Sequence, residues 1–123
     1  MNDQIQTILT ALSGIRICAQ PEESDIHAAI ASALDEAGLA YIHEYRLGPG
    51  RRIDFYCGGV GIEVKKGRPV SARLHAQVER YAESPELSAL IIVSQRPCRL
   101  PEAIGGKPVC LLSLDRLWGV ALP

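Results

Sequence analysis

Hydrophobic residues recur at helical spacing in the first third of the chain. Residues 3–14 are predicted to form a short amphipathic helix, because their apolar positions lie three or four residues apart. These positions are Ile5, Ile8, Leu9 and Leu12. A second helix is predicted between Pro21 and Gly38, since a proline and an acidic first turn favour a helix start and a glycine favours its end.

Alternating and continuous apolar runs predict strands further along the chain. Residues 41–47 alternate in polarity and end at a Gly-Pro-Gly turn. Residues 88–94 form a continuous apolar run, which is typical of a strand covered on both faces. The segment 96–108 is predicted to be a loop. It precedes the C-terminal elements at 108–120, which are a strand (109–114) and a short helix or turn.

A third helix, at residues 71–83, is predicted to connect two of these strands, with Ser71 as its N-cap. Its inward positions are Leu74, Val78 and Tyr81. The connection is long enough for a parallel crossover. We therefore predict one α/β domain over residues 1–123, a three-layer-like sandwich in which helices flank a mixed central sheet. The predicted order of elements is α-α-β-β-β-α-β-β.

A charged hairpin is predicted at residues 51–67, with the sequence RRIDFYCGGVGIEVKKG. Gly58 and Gly59 favour a two-residue turn, because both central residues of such a turn need a positive φ. In that register Asp54 lies opposite Glu63. One face then carries Arg52, Asp54, Tyr56, Glu63 and Lys65. The other, the predicted core face, carries Ile53, Phe55, Cys57, Val60, Ile62 and Val64. A four-residue loop would instead place Asp54 opposite Lys65, and a three-residue loop would separate these groups.

The two opposed carboxylates of this hairpin need a physical explanation. Like charges directly opposite each other in a sheet are destabilising by about 0.2–1 kcal/mol. Lys65 would offset part of that energy. A divalent cation would offset more, because oxygen ligands at this separation suit Mg²⁺ or Mn²⁺. The alternative is an exposed hairpin whose mixed charges serve solubility.

Composition restricts the class of protein. Of the 123 residues, 47% are hydrophobic and 22% are charged, which is ordinary for one globular domain. No apolar run approaches the roughly 20 residues of a membrane span, and the N-terminal residues do not resemble a signal peptide, so a cytoplasmic location is expected. The cysteines lack metal-ligand spacing and are predicted to be small buried apolar residues. They are Cys18, Cys57, Cys98 and Cys110.

Charge is distributed unevenly, although the net charge is only −1. Between residues 51 and 73 there are six basic residues and two acidic ones. The basic residues are Arg51, Arg52, Lys65, Lys66, Arg68 and Arg73. Such a patch on an acidic body can steer a polyanion to one side of a protein, whereas a solvated charged hairpin explains the charges equally well.

The hairpin also resembles a known superfamily. "RIDF" followed by "GIEVKKG" is similar to the hairpin of PD-(D/E)xK nucleases, in which one strand carries Asp and the next carries Glu-x-Lys. Ile53 stands where the nominal motif has proline. The predicted elements over residues 20–95 resemble the αβββαβ core of restriction-endonuclease-like folds. Gln77 and Tyr81 resemble the Q-x-x-x-Y motif of RecB-type exonucleases and their small stand-alone relatives. Taken alone, they are a polar residue at a helix flank and a core tyrosine.

The resemblance implies a metal-dependent deoxyribonuclease. Asp54 and Glu63 would bind Mg²⁺, for which Mn²⁺ could substitute, together with the backbone carbonyl of Val64. The superfamily often supplies a further acidic ligand from its first core helix, and Glu23 is the residue we assign to that position. The other acidic candidates are Glu22, Glu36 and Glu44.

The remaining roles that the resemblance implies concern water and phosphates. Lys65 would orient the attacking water, and Gln77 and Tyr81 would position Lys65 or a neighbouring phosphate. Phosphates of DNA that flank the scissile bond would contact Arg51, Arg52, Lys66, Arg68 and Arg73, without reading sequence. Small members of the superfamily are often homodimers, and we expect the same here by analogy.

Two alternatives to a nuclease stay open. The first is a non-catalytic nucleic-acid-binding or interaction module on the same scaffold, which would bind DNA without cutting it. The second is an unrelated small α/β protein with an accidental triad, which predicts that the carboxylates point apart. Within the nuclease interpretation, the sequence leaves open whether the protein is an endonuclease, an exonuclease, a Holliday-junction resolvase or a flap nuclease.

Overall fold

The computed structural model of this protein describes residues 3–17 and 21–115. The helices within these residues are α1 (Asp3–Leu12), α2 (Glu23–Glu36) and α3 (Ser71–Ala82). The strands are β1 (Ile42–Gly48), β2 (Arg51–Cys57), β3 (Val60–Lys65), β4 (Ala89–Ser94), β5 (Ala103–Ile104) and β6 (Lys107–Ser113). The predicted α/β class is confirmed. No helix in this part of the chain is long and apolar enough to cross a membrane.

The strands form one mixed sheet in the order β1-β2-β3-β4-β6-β5. Antiparallel pairing joins β1 to β2, β2 to β3 and β5 to β6. Parallel pairing joins β3 to β4 and β4 to β6. Since α3 lies between β3 and β4 along the chain, the predicted parallel crossover is confirmed.

Helices cover both faces of the sheet, and each face has its own apolar cluster. On one face, Phe55 and Ile62 pack with side chains of α1 and α2, such as Ile8 and Ile30. On the other face, α3 contributes the predicted inward residues to the second cluster. These are Leu74, Val78 and Tyr81. All six residues of β4 are buried. Its five apolar residues alternate between the two clusters, as predicted for a strand covered on both faces.

Three local predictions differ from the structure. Residues 96–108 are not entirely a loop, because β5 pairs with the start of β6; a two-residue strand is too short to give an alternating pattern. Ser71 is not the N-cap of α3 but its first helical residue, and Val70 occupies the cap position without a side-chain hydrogen bond.

The helix or turn predicted after the last strand lies mostly outside the described residues, as does Cys18. Of the other cysteines, Cys57 is buried as predicted, whereas Cys98 and Cys110 are only partly buried.

The hairpin has the predicted turn and register. Gly58 and Gly59 have φ values of 57° and 91°, which glycine adopts without the steric penalty of a β-carbon. The pairs are Cys57↔Val60, Tyr56↔Gly61 and Phe55↔Ile62.

The two faces of the hairpin, in contrast, were predicted incorrectly at Ile53. Its side chain belongs to the second apolar cluster, across the sheet from Phe55. The change of face coincides with an irregularity in the neighbouring strand, where Glu44 has a φ of 57°. Glu44 lies between His43, which stacks on Phe55, and Tyr45, which pairs with Ile53. Strict alternation fails here because an apolar cluster covers each face of the sheet, so the side chain of Ile53 can be buried on either face.

Gly61 is required by this arrangement, and we expect Gly61→Ala to lower the free energy of unfolding by about 1–3 kcal/mol. An added β-carbon would lie 2.8 Å from Ile53 Cδ1 and 3.1 Å from Leu87 Cδ2. Gly14→Ala is the matched control, because nothing lies within 4 Å of its added β-carbon. Urea denaturation of both variants measures the effect, and equal midpoints would contradict the prediction.

Candidate functional site

The two strands of the hairpin separate immediately beyond the Phe55↔Ile62 pair. Asp54 and Glu63 would form the next pair. At this point, however, hydrogen bonds to their side chains take the place of backbone hydrogen bonds between the strands. The amide of Asp54 donates to Glu63 Oε1 at 3.4 Å, and the amide of Val64 donates to Asp54 Oδ2 at 2.7 Å. The carboxylates are therefore held together where the strands diverge. This is the opposite of what the accidental-triad alternative predicts.

Glu63 lies at the centre of a polar cluster beneath the sheet surface. Its side chain is only 7% exposed. Lys65 Nζ lies 3.3 Å from Oε2, and Gln77 Nε2 donates to the same oxygen at 3.3 Å. The hydroxyl of Tyr81 is 3.2 Å from Oε1. The structure thus brings the predicted residues Asp54, Glu63, Lys65, Gln77 and Tyr81 into one contiguous group.

Gln77 and Tyr81 hold Glu63 in place and tie α3 to β2. They lie four residues apart, on the same side of α3. Gln77 Nε2 donates to the Tyr81 hydroxyl at 3.0 Å, and this hydroxyl lies 3.0 Å from the carbonyl oxygen of Arg52. Because the hydroxyl carries one proton, it donates to Arg52 or to Glu63 at any instant. Burial, together with the charge of Glu63, raises the pKa of Tyr81 far above its usual value, so its hydroxyl stays protonated.

The surroundings of Glu63 disfavour the negatively charged form of its carboxyl group. Burial, followed by the negative charge of Asp54, raises its pKa from 4.5 to about 7. Lys65 acts in the opposite direction, through its charge and its hydrogen bond, but does not cancel the shift. A cation that approaches through the solvent-facing side would stabilise the ionised form of such a carboxylate.

A histidine that was not predicted links Glu23 to the site. His27 Nε2 lies 3.7 Å from Glu23 Oε1 and 3.8 Å from Asp54 Oδ2. This nitrogen is buried and has no hydrogen-bond partner, while Nδ1 lies 2.8 Å from His43 Nε2. The signal in the sequence is the position of His27 one helical turn after Glu23, on the side of α2 that faces the sheet.

The other acidic candidates do not join this group. Glu22 donates its amide to Asp25 and pairs its carboxylate with Lys66 at 3.0 Å. Glu36 is the last residue of α2, at the end opposite Glu23 and His27. Glu44 is exposed on β1. Of the four, Glu23 is the one that contacts His27, whose Nε2 also lies 3.8 Å from Asp54 Oδ2.

A cleft of about 420 Å³ opens above the two carboxylates. Its lining residues are Arg46, Gly50, Arg51, Arg52, Asp54, Glu63, Gln77, Arg80 and Tyr81. Arg51 and Arg52 were predicted to contact phosphates. Arg46 and Arg80 were missed, because they come from β1 and α3, outside the hairpin segment that carries the basic patch in the sequence.

The three other basic residues predicted to contact DNA lie outside this cleft. Lys66 pairs with Glu22 at the start of α2. Arg68 lines a separate cavity together with Cys98 and Arg99. Arg73 is exposed on the first turn of α3.

The donor atoms of the site fit a magnesium ion in their chemistry. Within residues 3–17 and 21–115, no group of three or more His, Cys, Asp and Glu side chains is positioned to hold a metal. Mg²⁺, however, is commonly held by one or two carboxylates and completes its shell with waters and substrate phosphates. Asp54 and Glu63 supply that number of carboxylates. The ligand role of the Val64 carbonyl stays a prediction.

Comparison with known proteins gives no match. No protein-family model, no curated protein and no solved structure is significantly similar to this chain. The resemblance to PD-(D/E)xK nucleases therefore stays a prediction that rests on the motif and on the geometry of the site.

Proposed function

We propose that the protein is a metal-dependent nuclease that hydrolyses phosphodiester bonds of DNA. The observation that carries this proposal is the pairing of the buried Glu63 carboxylate with Asp54 beneath a cleft lined by arginines. Burial first, and then the charge of Asp54, raises the pKa of Glu63. Perturbed carboxylates in a cleft are more typical of functional sites than of structural surfaces. The restriction-endonuclease-like core is part of the same proposal.

Asp54 and Glu63 would hold Mg²⁺. Glu23, the further ligand that the resemblance implies, contacts His27 beside Asp54 and is not positioned to hold the ion together with the two carboxylates. The bound ion would increase the acidity of a water molecule and neutralise charge on the phosphate. Lys65, whose Nζ lies 3.3 Å from Glu63, would orient the attacking water. The attacking water would give up a proton to solvent as its oxygen bonds to phosphorus, the bond to the leaving oxygen would break, and that oxygen would take up a proton from solvent.

Cleavage assays on single-stranded, duplex and branched DNA test the proposal. We expect products with Mg²⁺ or Mn²⁺ and none with EDTA. Intact DNA under every condition, with a purified and folded protein, would overturn it.

A non-catalytic DNA-binding module is the second candidate. It is favoured by the existing bonds of Glu63, whose oxygens already contact Lys65, Gln77 and Tyr81. This candidate predicts that DNA is retarded in a gel but stays intact with either metal ion.

Tyr81→Phe should lower kcat by about 10–100-fold and leave KM nearly unchanged, because the hydroxyl positions Glu63 rather than touching substrate. Tyr56→Phe is the matched control, since its hydroxyl contacts the carbonyl oxygen of Glu86 at 3.1 Å. Steady-state kinetics on a short oligonucleotide measure both variants. Equal kcat values for the two variants would show that the Tyr81 hydroxyl has no role in the proposed site.

A further inference from the structure

Four arginines meet at the cleft that leads to the carboxylates. Arg46 comes from β1, Arg51 and Arg52 from the start of β2, and Arg80 from α3. Three different elements thus place arginines around one opening, with Asp54 and Glu63 among its lining residues.

Stability alone does not explain this concentration of positive charge. Arg46 and Arg52 are direct cross-strand partners, and like charges so placed cost about 0.2–1 kcal/mol. Arg51 is held by Glu83 at 3.2 Å and by the carbonyl oxygen of Arg80 at 3.4 Å. Among the described residues, the side chains of Arg46, Arg52 and Arg80 have no ion-pair partner. An anion at the cleft would relieve their mutual repulsion.

We propose that this arginine cluster anchors a backbone phosphate of a single DNA strand, next to the phosphate that is cleaved. The identity of the ligand rests on the proposed nuclease function, whereas the anion site rests on the arginines themselves. Guanidinium groups match phosphate oxygens in bidentate geometry, and unpaired ones are free to do so.

The size of the cleft favours one strand over a duplex. Its volume of about 420 Å³ falls in the range of roughly 300–1,000 Å³ that encloses one small organic molecule, the size class of a mononucleotide. A base-paired segment is much larger, with a major groove alone about 12 Å wide. The buried Glu63 lies below the protein surface, so a phosphate must enter the cleft to reach it.

Binding without metal tests this proposal separately from catalysis. Fluorescence anisotropy in EDTA compares a single-stranded oligonucleotide of about 10 nucleotides with a hairpin duplex of similar length. Arg46→Gln and Arg80→Gln should each weaken single-strand binding by about tenfold, and each should reduce the slope of log affinity against log salt by about 0.7. Arg16→Gln is the control, because it removes the same charge from the cavity between α1 and α2.

Each outcome decides the proposal. Selective weakening in the cleft variants, with tighter binding of the single strand than of the duplex, supports it. Unchanged affinity in both cleft variants, or weakening equal to that of Arg16→Gln, overturns the anchor even if the protein cuts DNA. Tighter binding of the duplex overturns the preference for one strand. If the native protein never cuts DNA but the cleft variants lose binding, the phosphate-anchor proposal is supported and the nuclease proposal is refuted.

Discussion

Replacing Asp54 by asparagine is expected to reduce DNA cleavage by at least about a thousandfold while the protein stays folded. Asparagine retains a side-chain oxygen that can accept the hydrogen bond from the Val64 amide, which is 2.7 Å long in the native protein. It lacks the negative charge that a divalent cation requires, and losing a metal ligand removes several kcal/mol of transition-state stabilisation. Single-turnover cleavage rates and circular dichroism measure the two halves of this prediction.

Asp35→Asn provides the matched control for this experiment. Asp35 is an exposed carboxylate of α2, whose contact is with the Tyr41 hydroxyl at 3.5 Å, so the control should cleave at the native rate. The variants Asp54→Ala, Glu63→Ala and Lys65→Ala should likewise abolish cleavage. Native rates in any of them would remove that residue from the proposed mechanism.

Glu63→Gln is expected to abolish cleavage and yet stabilise the metal-free protein at pH 8 by about 1–3 kcal/mol. The pKa of Glu63 is raised from 4.5 to about 7 in the folded state by burial and by Asp54. The folded protein therefore favours the neutral acid. That contribution to stability is complete below pH 4.5 and is lost as the pH rises through about 7. Glutamine is neutral at every pH and escapes the loss, although it forfeits the ion pair with Lys65.

Urea denaturation in EDTA at pH 5 and at pH 8 measures this difference. We expect nearly equal stabilities at pH 5, a clear advantage for Glu63→Gln at pH 8, and a smaller advantage when Mg²⁺ is added. Glu102→Gln, at an exposed position, should show no such dependence. A native protein that gains stability relative to Glu63→Gln between pH 5 and pH 8 would contradict the prediction.

The hairpin and its register were predictable because local chemistry determines them. Gly58 and Gly59 suit a two-residue turn, and the turn then fixes every pair up to Phe55↔Ile62. The parallel crossover followed from the length of the connection through α3. The joint role of Gln77 and Tyr81 was implied only by the resemblance to the Q-x-x-x-Y motif, since the two residues taken alone indicated a polar residue at a helix flank and a core tyrosine.

Other features depend on tertiary contacts that local patterns do not contain. Ile53 changes face because a second apolar core lies beneath α3, and its neighbours in sequence give no sign of that core. His27, Arg46 and Arg80 reach the site from three separate elements. Each of them is ordinary in its own segment, and only folding brings their charges or ring nitrogens together.

Glu44 has a consequence for self-association. Strand β1 forms one border of the sheet, where unpaired amides and carbonyls could recruit a strand from another molecule. The left-handed backbone of Glu44, with φ of 57°, interrupts the regular extended strand that pairing with another molecule or fibril growth would need. We therefore expect that two copies do not join through this border, so that a homodimer would have to form through a different surface.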